Sequence, residues 1–162
     1  MENVSNITAE SIARYFLYRC REDGELITPL KMQKLIYYVY VWTLVNTKTS
    51  LFNEKFEAWP NGPVLRSLYH KLKKYGYSPI TEDFMPINDE KDLEKLKTSF
   101  GDYLDIFDKV YEKYITKSPF ELVTLTHNEK PWKRARNGLK VTEPSKNELS
   151  DKDILEEYAE KK

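Results

Sequence analysis

Two short stretches hold residue types that could do chemistry. The first is Trp59-Pro60-Asn61-Gly62-Pro63. Proline fixes φ, and glycine or asparagine can take positive φ, so the run reads as a rigid turn beside a large aromatic. Such a turn presents contact area at low entropic cost. The second is Thr126-His127 with Pro131-Trp132. A histidine can act as a general base, yet no serine or cysteine nucleophile sits at a recognisable spacing from it. A satisfied structural histidine is the default reading for His127, and a core position is the default for Trp59. The other histidine, His70, stands among lysines on a helical pattern and reads as solvated.

Metal chemistry lacks its ligands. Two histidines and the single cysteine, Cys20, do not have zinc spacing. Asp102, Asp105 and Asp108 recur every third residue, but calcium needs a loop with a glycine turn, so they read as a solvated helical face. No glycine spacing forms a phosphate-binding loop. The basic runs Lys71-Leu72-Lys73-Lys74 and Lys133-Arg134-Ala135-Arg136 suit exposed helix ends. No cofactor, no metal and no enzymatic activity are expected.

The elements that must position these residues are mostly helical. Thr8 caps a first amphipathic helix through Ala9, Ile12, Ala13, Phe16 and Cys20, which Asp23-Gly24 ends. Thr28-Pro29 opens the next, with threonine as cap and proline at the first helical position. Met32, Leu35, Ile36, Val39 and Trp42 form its stripe, and Tyr37, Tyr38 and Tyr40 widen it. This helix should be central and buried on most sides. Phe56-Glu57-Ala58-Trp59 alternates as a short strand, and Pro63 is placed to open the helix carrying Leu65, Leu68, Tyr69 and Leu72. Tyr77 to Asp89 reads as loop with strand character near Ile80 or Phe84-Met85. A short helical turn is expected at Leu93 to Lys97 and a longer helix at Asp102 to Thr116. Ser118-Pro119-Phe120-Glu121 has capping-box spacing. Ser150 with Asp153 opens a last helix through Tyr158. The fold class is therefore mainly α: a single compact helical domain over 1–162, its core about 8–158, with a small β element near 56–59.

Composition narrows function further. The 162 residues fit one modest core, and 40% hydrophobic with 14% aromatic residues is too rich for disorder. Lysine plus arginine equals aspartate plus glutamate at 26 each, so no global field draws a polyanion and dedicated nucleic-acid binding is not expected. One cysteine, no signal-peptide pattern and no spanning apolar stretch lead to the expectation of a soluble cytoplasmic protein. Twelve tyrosines and three tryptophans supply material for both core and interface.

The order of Leu30-Lys31-Met32-Gln33-Lys34-Leu35-Ile36-Tyr37-Tyr38, Leu51-Phe52, Glu57-Ala58-Trp59, Gly62-Pro63-Val64, Tyr69 and Lys74-Tyr75-Gly76 resembles the Panacea domain. So, more weakly, do Leu125-Thr126-His127, Pro131-Trp132 and Ala135-Arg136. This is the antitoxin module of SocA-like antitoxins and phage-associated proteins. The likeness spans about Thr8 to Tyr158. Tyr40 departs from it, standing where family helices often carry a small or polar residue, which suggests a surface individual to this chain. The resemblance implies an antitoxin that neutralises a cognate toxin by direct binding, and that in some members hands the toxin to a cytoplasmic protease. It does not name the toxin, because one domain is paired with many. The expected partner-binding residues are Trp59, Asn61, Gly62, Pro63, Tyr69, His127, Pro131 and Trp132. The alternatives are a small hydrolase using His127 and a phage accessory protein sharing the fold without a toxin.

Overall fold

A computed structural model describes residues 7–159 and 161. The first six and the last residues of the expected 1–162 domain lie outside that description. The chain folds mainly as helices around one buried helix, with a two-stranded antiparallel hairpin. Helix α1 spans Ala9–Asp23 and α2 spans Pro29–Thr47. Strands β1, Glu57–Trp59, and β2, Gly62–Val64, form the hairpin. Then come α3 (Arg66–Leu72), α4 (Glu90–Phe100), α5 (Leu104–Tyr114), α6 (Pro119–His127), α7 (Lys130–Ala135) and α8 (Asp151–Tyr158). No helix among the described residues is long and apolar enough to cross a membrane.

Local chemistry sets the helix ends. Thr8 and Ser11 form a capping box on α1, and Gly24 closes it in the left-handed region at φ 71°. Thr28 caps α2 ahead of Pro29, Ser118 and Glu121 form a second capping box on α6, and Ser150 caps α8. Each side chain takes up an N–H that the first helical turn cannot satisfy.

Helix α2 is the axis of the molecule. Every residue from Lys31 to Val41 is buried, because α1, α3, α5, α6, α8 and the hairpin pack around it. Its aromatic residues reach outward to fix neighbours. Tyr38 stacks on Tyr114 of α5 at 4.2 Å, and Trp42 donates to the Tyr114 hydroxyl at 2.8 Å. The Tyr38 and Tyr158 hydroxyls both donate to the buried Glu129 carboxylate, tying α8 to the core. Burial raises the Glu129 pKa against the opposing pull of Tyr158 and Lys161.

Several local expectations change. Pro63 does not open a helix: it lies in β2, paired with Ala58, and α3 starts at Arg66. The turn is too tightly tied to its partner strand for the backbone to turn helical there. The Tyr77–Asp89 stretch forms no strand; Ile80 N–H donates to the Ile27 carbonyl in a single cross-loop bond. Helix α4 is longer than the turn read at Leu93–Lys97, because Asp89 caps it and Phe100 extends its buried face beyond Leu93 and Leu96. Asp108 is no solvated ridge residue: Tyr15 and Arg19 both donate to its carboxylate. Tyr40 is buried, not a surface feature, and its hydroxyl donates to Asp151 at the start of α8.

A helix buried on all sides must satisfy its own polar side chains. Lys31 donates to the Ile115 carbonyl at 2.6 Å. Gln33 donates to the Leu65 carbonyl and accepts from the Leu65 N–H, at 3.1 and 2.9 Å, as a facing strand would. Lys34 is fully buried. Its ammonium donates to the Pro63 carbonyl at 3.0 Å and meets no carboxylate among the described residues.

Burial without a counter-charge lowers the Lys34 pKa to about 7 from 10.5. Between these values the unfolded chain holds a proton that the folded chain has released, so stability rises with pH across that window. Above about pH 9 Cys20 and the buried tyrosines oppose this, since their folded values are raised. Urea midpoints measured between pH 7 and 9 should therefore increase, by up to about 2–3 kcal/mol in stability. Lys34→Met should flatten the slope; a slope unchanged in that variant would place its origin elsewhere.

Candidate functional site

The hairpin sits on the middle of α2 and is held almost entirely through its carbonyls. Arg136 donates to Ala58 O at 2.8 Å. Trp132 Nε1 donates to Trp59 O, also at 2.8 Å. The His127 ring hydrogen-bonds the Pro60 backbone, where the carbonyl is the available partner because proline has no N–H. Lys34 holds Pro63 O. These donors come from α2, the end of α6, and α7 with its C-cap. On its outer edge β1 is closed by residues 147–149: Ala58 N–H donates to Asn147 O and Leu149 N–H to Phe56 O.

The turn itself demands glycine at position 62. Trp59 faces Gly62 across a two-residue loop, and Gly62 has φ 110°. A Cβ there would stand 2.5 Å from Lys34 Cε and 2.9 Å from Thr126 Oγ1. The backbone thus lies directly on the buried lysine, and only a residue with no side chain permits that approach.

The aromatic groups stack in two sets. His127 lies flat on Trp132 at 3.8 Å, and the Arg136 guanidinium sits 5.3 Å over the same indole. Trp59 meets Tyr69 edge-on at 4.8 Å, and its Nε1 donates to Glu57. Arg66 pairs with Glu57 through two donors and covers Trp59. Burial alone would raise the Glu57 pKa, but the Arg66 and Trp59 hydrogen bonds prevail and hold it low. His127 is shifted down, first by burial and then by the nearby Lys34 and Arg136 cations, which the Pro60 bond only partly offsets. A neutral ring at pH 7 follows.

The structure therefore brings together the two stretches singled out in the sequence, through the Trp132–Trp59 bond. It places their residues unequally. Gly62, Pro63 and Pro131 are buried; Trp59, His127 and Trp132 are half-buried; Asn61 is exposed and Tyr69 is 38% exposed. His70 is exposed beside Tyr69. His127 Nε2 is withdrawn from solvent and has no hydrogen-bond partner among the described residues, and the Thr126 hydroxyl donates to Val123 O. No acid, base and nucleophile line up around this histidine among the described residues, and no cluster there could hold a metal ion. The geometry can present a rigid aromatic surface.

Lys34 and Arg136 organise this site; the sequence places both in the stretches that carry the family likeness but not among the expected partner-binding residues. Arg136 is buried and does not belong with the exposed basic run to which its neighbours assign it. Beside the family likeness, the signal for Lys34 was a charge inside a stretch with apolar residues on every helical face.

The Lys34–Gly62 contact can be tested directly. Gly62→Ala should destabilise the protein by about 2 kcal/mol or more, since positive φ and a steric clash combine. Gly138→Ala, also at positive φ but with nothing within 4 Å of its Cβ, should cost only about 1 kcal/mol. Equal losses in thermal unfolding would show that the close approach contributes nothing.

A family model described as the SocA-like antitoxin, Panacea domain, matches residues 32–133. The match takes in most of α2, the hairpin, and the helices through most of α7. No curated protein and no solved structure matches the chain. The chain belongs to the SocA-like antitoxin family, through its Panacea domain.

Proposed function

We propose that this protein is the antitoxin of a toxin–antitoxin pair and acts in the cytoplasm by binding its toxin directly. Membership of the SocA-like antitoxin family is the observation that carries this reading. No catalytic step is proposed: His127 spends its ring on Pro60 and Trp132. The binding face we assign is the hairpin and its supports: Trp59, Asn61, Gly62, Pro63, Tyr69, His127, Pro131 and Trp132. Within it the roles divide. Asn61, Tyr69 and the outer edges of Trp59 and Trp132 would meet the toxin, while Gly62, Pro63, Pro131 and His127 would keep that surface rigid. Delivery of the bound toxin to a protease is the further step that the family suggests.

Co-expression with the products of adjacent genes tests both layers. A toxic neighbour whose effect this chain suppresses, and which co-purifies with it, is the expected result. Tyr69→Ala should melt close to wild type and weaken rescue by about tenfold, roughly 1.4 kcal/mol of binding. Trp132→Ala should lose rescue only together with stability, because it frees the Trp59 carbonyl and opens a cavity, at about 3–5 kcal/mol. If Tyr69→Ala rescues fully, the face is assigned wrongly. If no neighbouring product is toxic or binds, the antitoxin reading falls.

A further inference from the structure

Strand β1 pairs with β2 along one edge, and its other edge is covered by the chain's own residues 147–149. They lie antiparallel to it through a single bridge, Glu57 with Glu148. Ala58 N–H donates to Asn147 O at 2.8 Å, and Leu149 N–H donates to Phe56 O at 2.9 Å. These residues end the connection between α7 and α8, which contains no helix. Connections longer than about 12 residues with no structure of their own are uncommon in compact domains and usually serve function.

Main-chain bonds, not packing, hold this connection down. Residues 140–148 are exposed, apart from half-buried Ser145, and Leu149 is the one buried side chain from 139 to 149. The buried Arg136 guanidinium pins the rest. Its Nη2 donates to the carbonyls of Lys140, Val141 and Glu143 at 2.7, 3.3 and 2.7 Å, while Nη1 donates to Ala58 O. Asn147 Nδ2 donates to Ala135 O. The edge beneath is preformed, because Trp132, His127 and Lys34 fix the hairpin through Trp59, Pro60 and Pro63 without using the connection. Lifting residues 139–149 would leave Ala58 N–H and Phe56 O unpaired and Arg136 Nη2 without an acceptor. An open strand edge is a template for another extended chain, and groups stripped of their partners gain most from new main-chain ones.

We propose that residues 139–149 form a displaceable strap, and that the β1 edge beneath them accepts an extended segment of a partner protein in their place. The segment is recognised by its main chain: a carbonyl on Ala58 N–H, an N–H on Phe56 O, a carbonyl on Arg136, and one aliphatic side chain where Leu149 lies. The strap shows what fits, since it makes each of those contacts itself. The inference does not rest on the antitoxin reading, and it needs no toxin for its test.

Native-state hydrogen exchange on the full ¹⁵N-labelled chain reads the opening. Once intrinsic rates are corrected, the Ala58 and Leu149 amides should exchange together, at least a hundredfold faster than Leu65, whose N–H is held by Gln33. Ala58 exchanging no faster than Leu65 would overturn the strap. Leu149→Pro removes both the N–H donor and the anchor. In that variant a blocked peptide, Ser-Lys-Asn-Glu-Leu-Ser, should restore Ala58 protection saturably at millimolar concentration. Ser-Glu-Asn-Lys-Leu-Ser should match it within about threefold, since the edge reads main chain. The first peptide N-methylated at leucine should fail, and wild type should take up the unmodified peptide at least tenfold more weakly. No restoration, or equal restoration by the N-methylated peptide, would overturn strand acceptance. Should Leu149→Pro not fold, Leu149→Ala keeps the N–H and should speed Ala58 exchange at least tenfold with Leu65 unchanged. Equal acceleration at both amides would overturn the inference.

Discussion

The structure depends on one constraint: a helix buried on every face cannot leave its own polar side chains unsatisfied. Helix α2 carries Lys31, Gln33 and Lys34 into the centre of the molecule. None of them meets an opposite charge in an ion pair among the described residues. Each instead captures backbone of a different neighbour: Ile115 at the end of α5, Leu65 before α3, and Pro63 in β2. These are bonds to main-chain groups, so they fix where the neighbouring segments run rather than which side chains they carry. Gln33 is the clearest case, since one amide group occupies both the N–H and the C=O of Leu65. The polar letters of the family motif are thereby explained as scaffold.

The hairpin inherits this arrangement. A three-residue strand pair has few cross-strand bonds and is marginal alone. Its persistence here comes from Arg136, Trp132, His127 and Lys34, which hold carbonyls on both strands and at the turn. Three of those four donors also stack, His127 and Arg136 both lying against the Trp132 indole. Donor and stack reinforce each other, because a ring fixed by stacking loses little more entropy on making its hydrogen bond. The result is a turn whose tip, Asn61, is exposed while its base cannot move.

Much of the fold was legible in the sequence because it is written locally. Thr8, Thr28, Ser118 and Ser150 carry capping chemistry within three residues of the N–H they serve, and α2 shows apolar residues on all its faces. What was not legible is what distant residues do to one another. Pro63 has identical local credentials for a helix start and for an edge strand, and its pairing with Ala58 decides between them. Asp108 looks solvated until Tyr15 and Arg19 arrive from α1. Arg136 looks like the end of a basic run until the hairpin closes over it. Likewise the proximity of Trp59 and Trp132 was visible only as two similar local patterns; their contact spans 73 residues of chain.

This division bears on which positions of the hairpin can change. Residues whose polar atoms point inward, such as Lys34, Gln33 and Arg136, are bound to backbone, and changing them strands a buried carbonyl or amide. Residues that only face outward, such as Asn61, Tyr69 and His70, have no such duty. Substitution at exposed positions of that kind usually changes stability by about 0.5 kcal/mol or less. A fold that anchors its hairpin through main-chain carbonyls leaves the outer side chains of that hairpin free to vary. Those outer positions can then change without reopening the core beneath them.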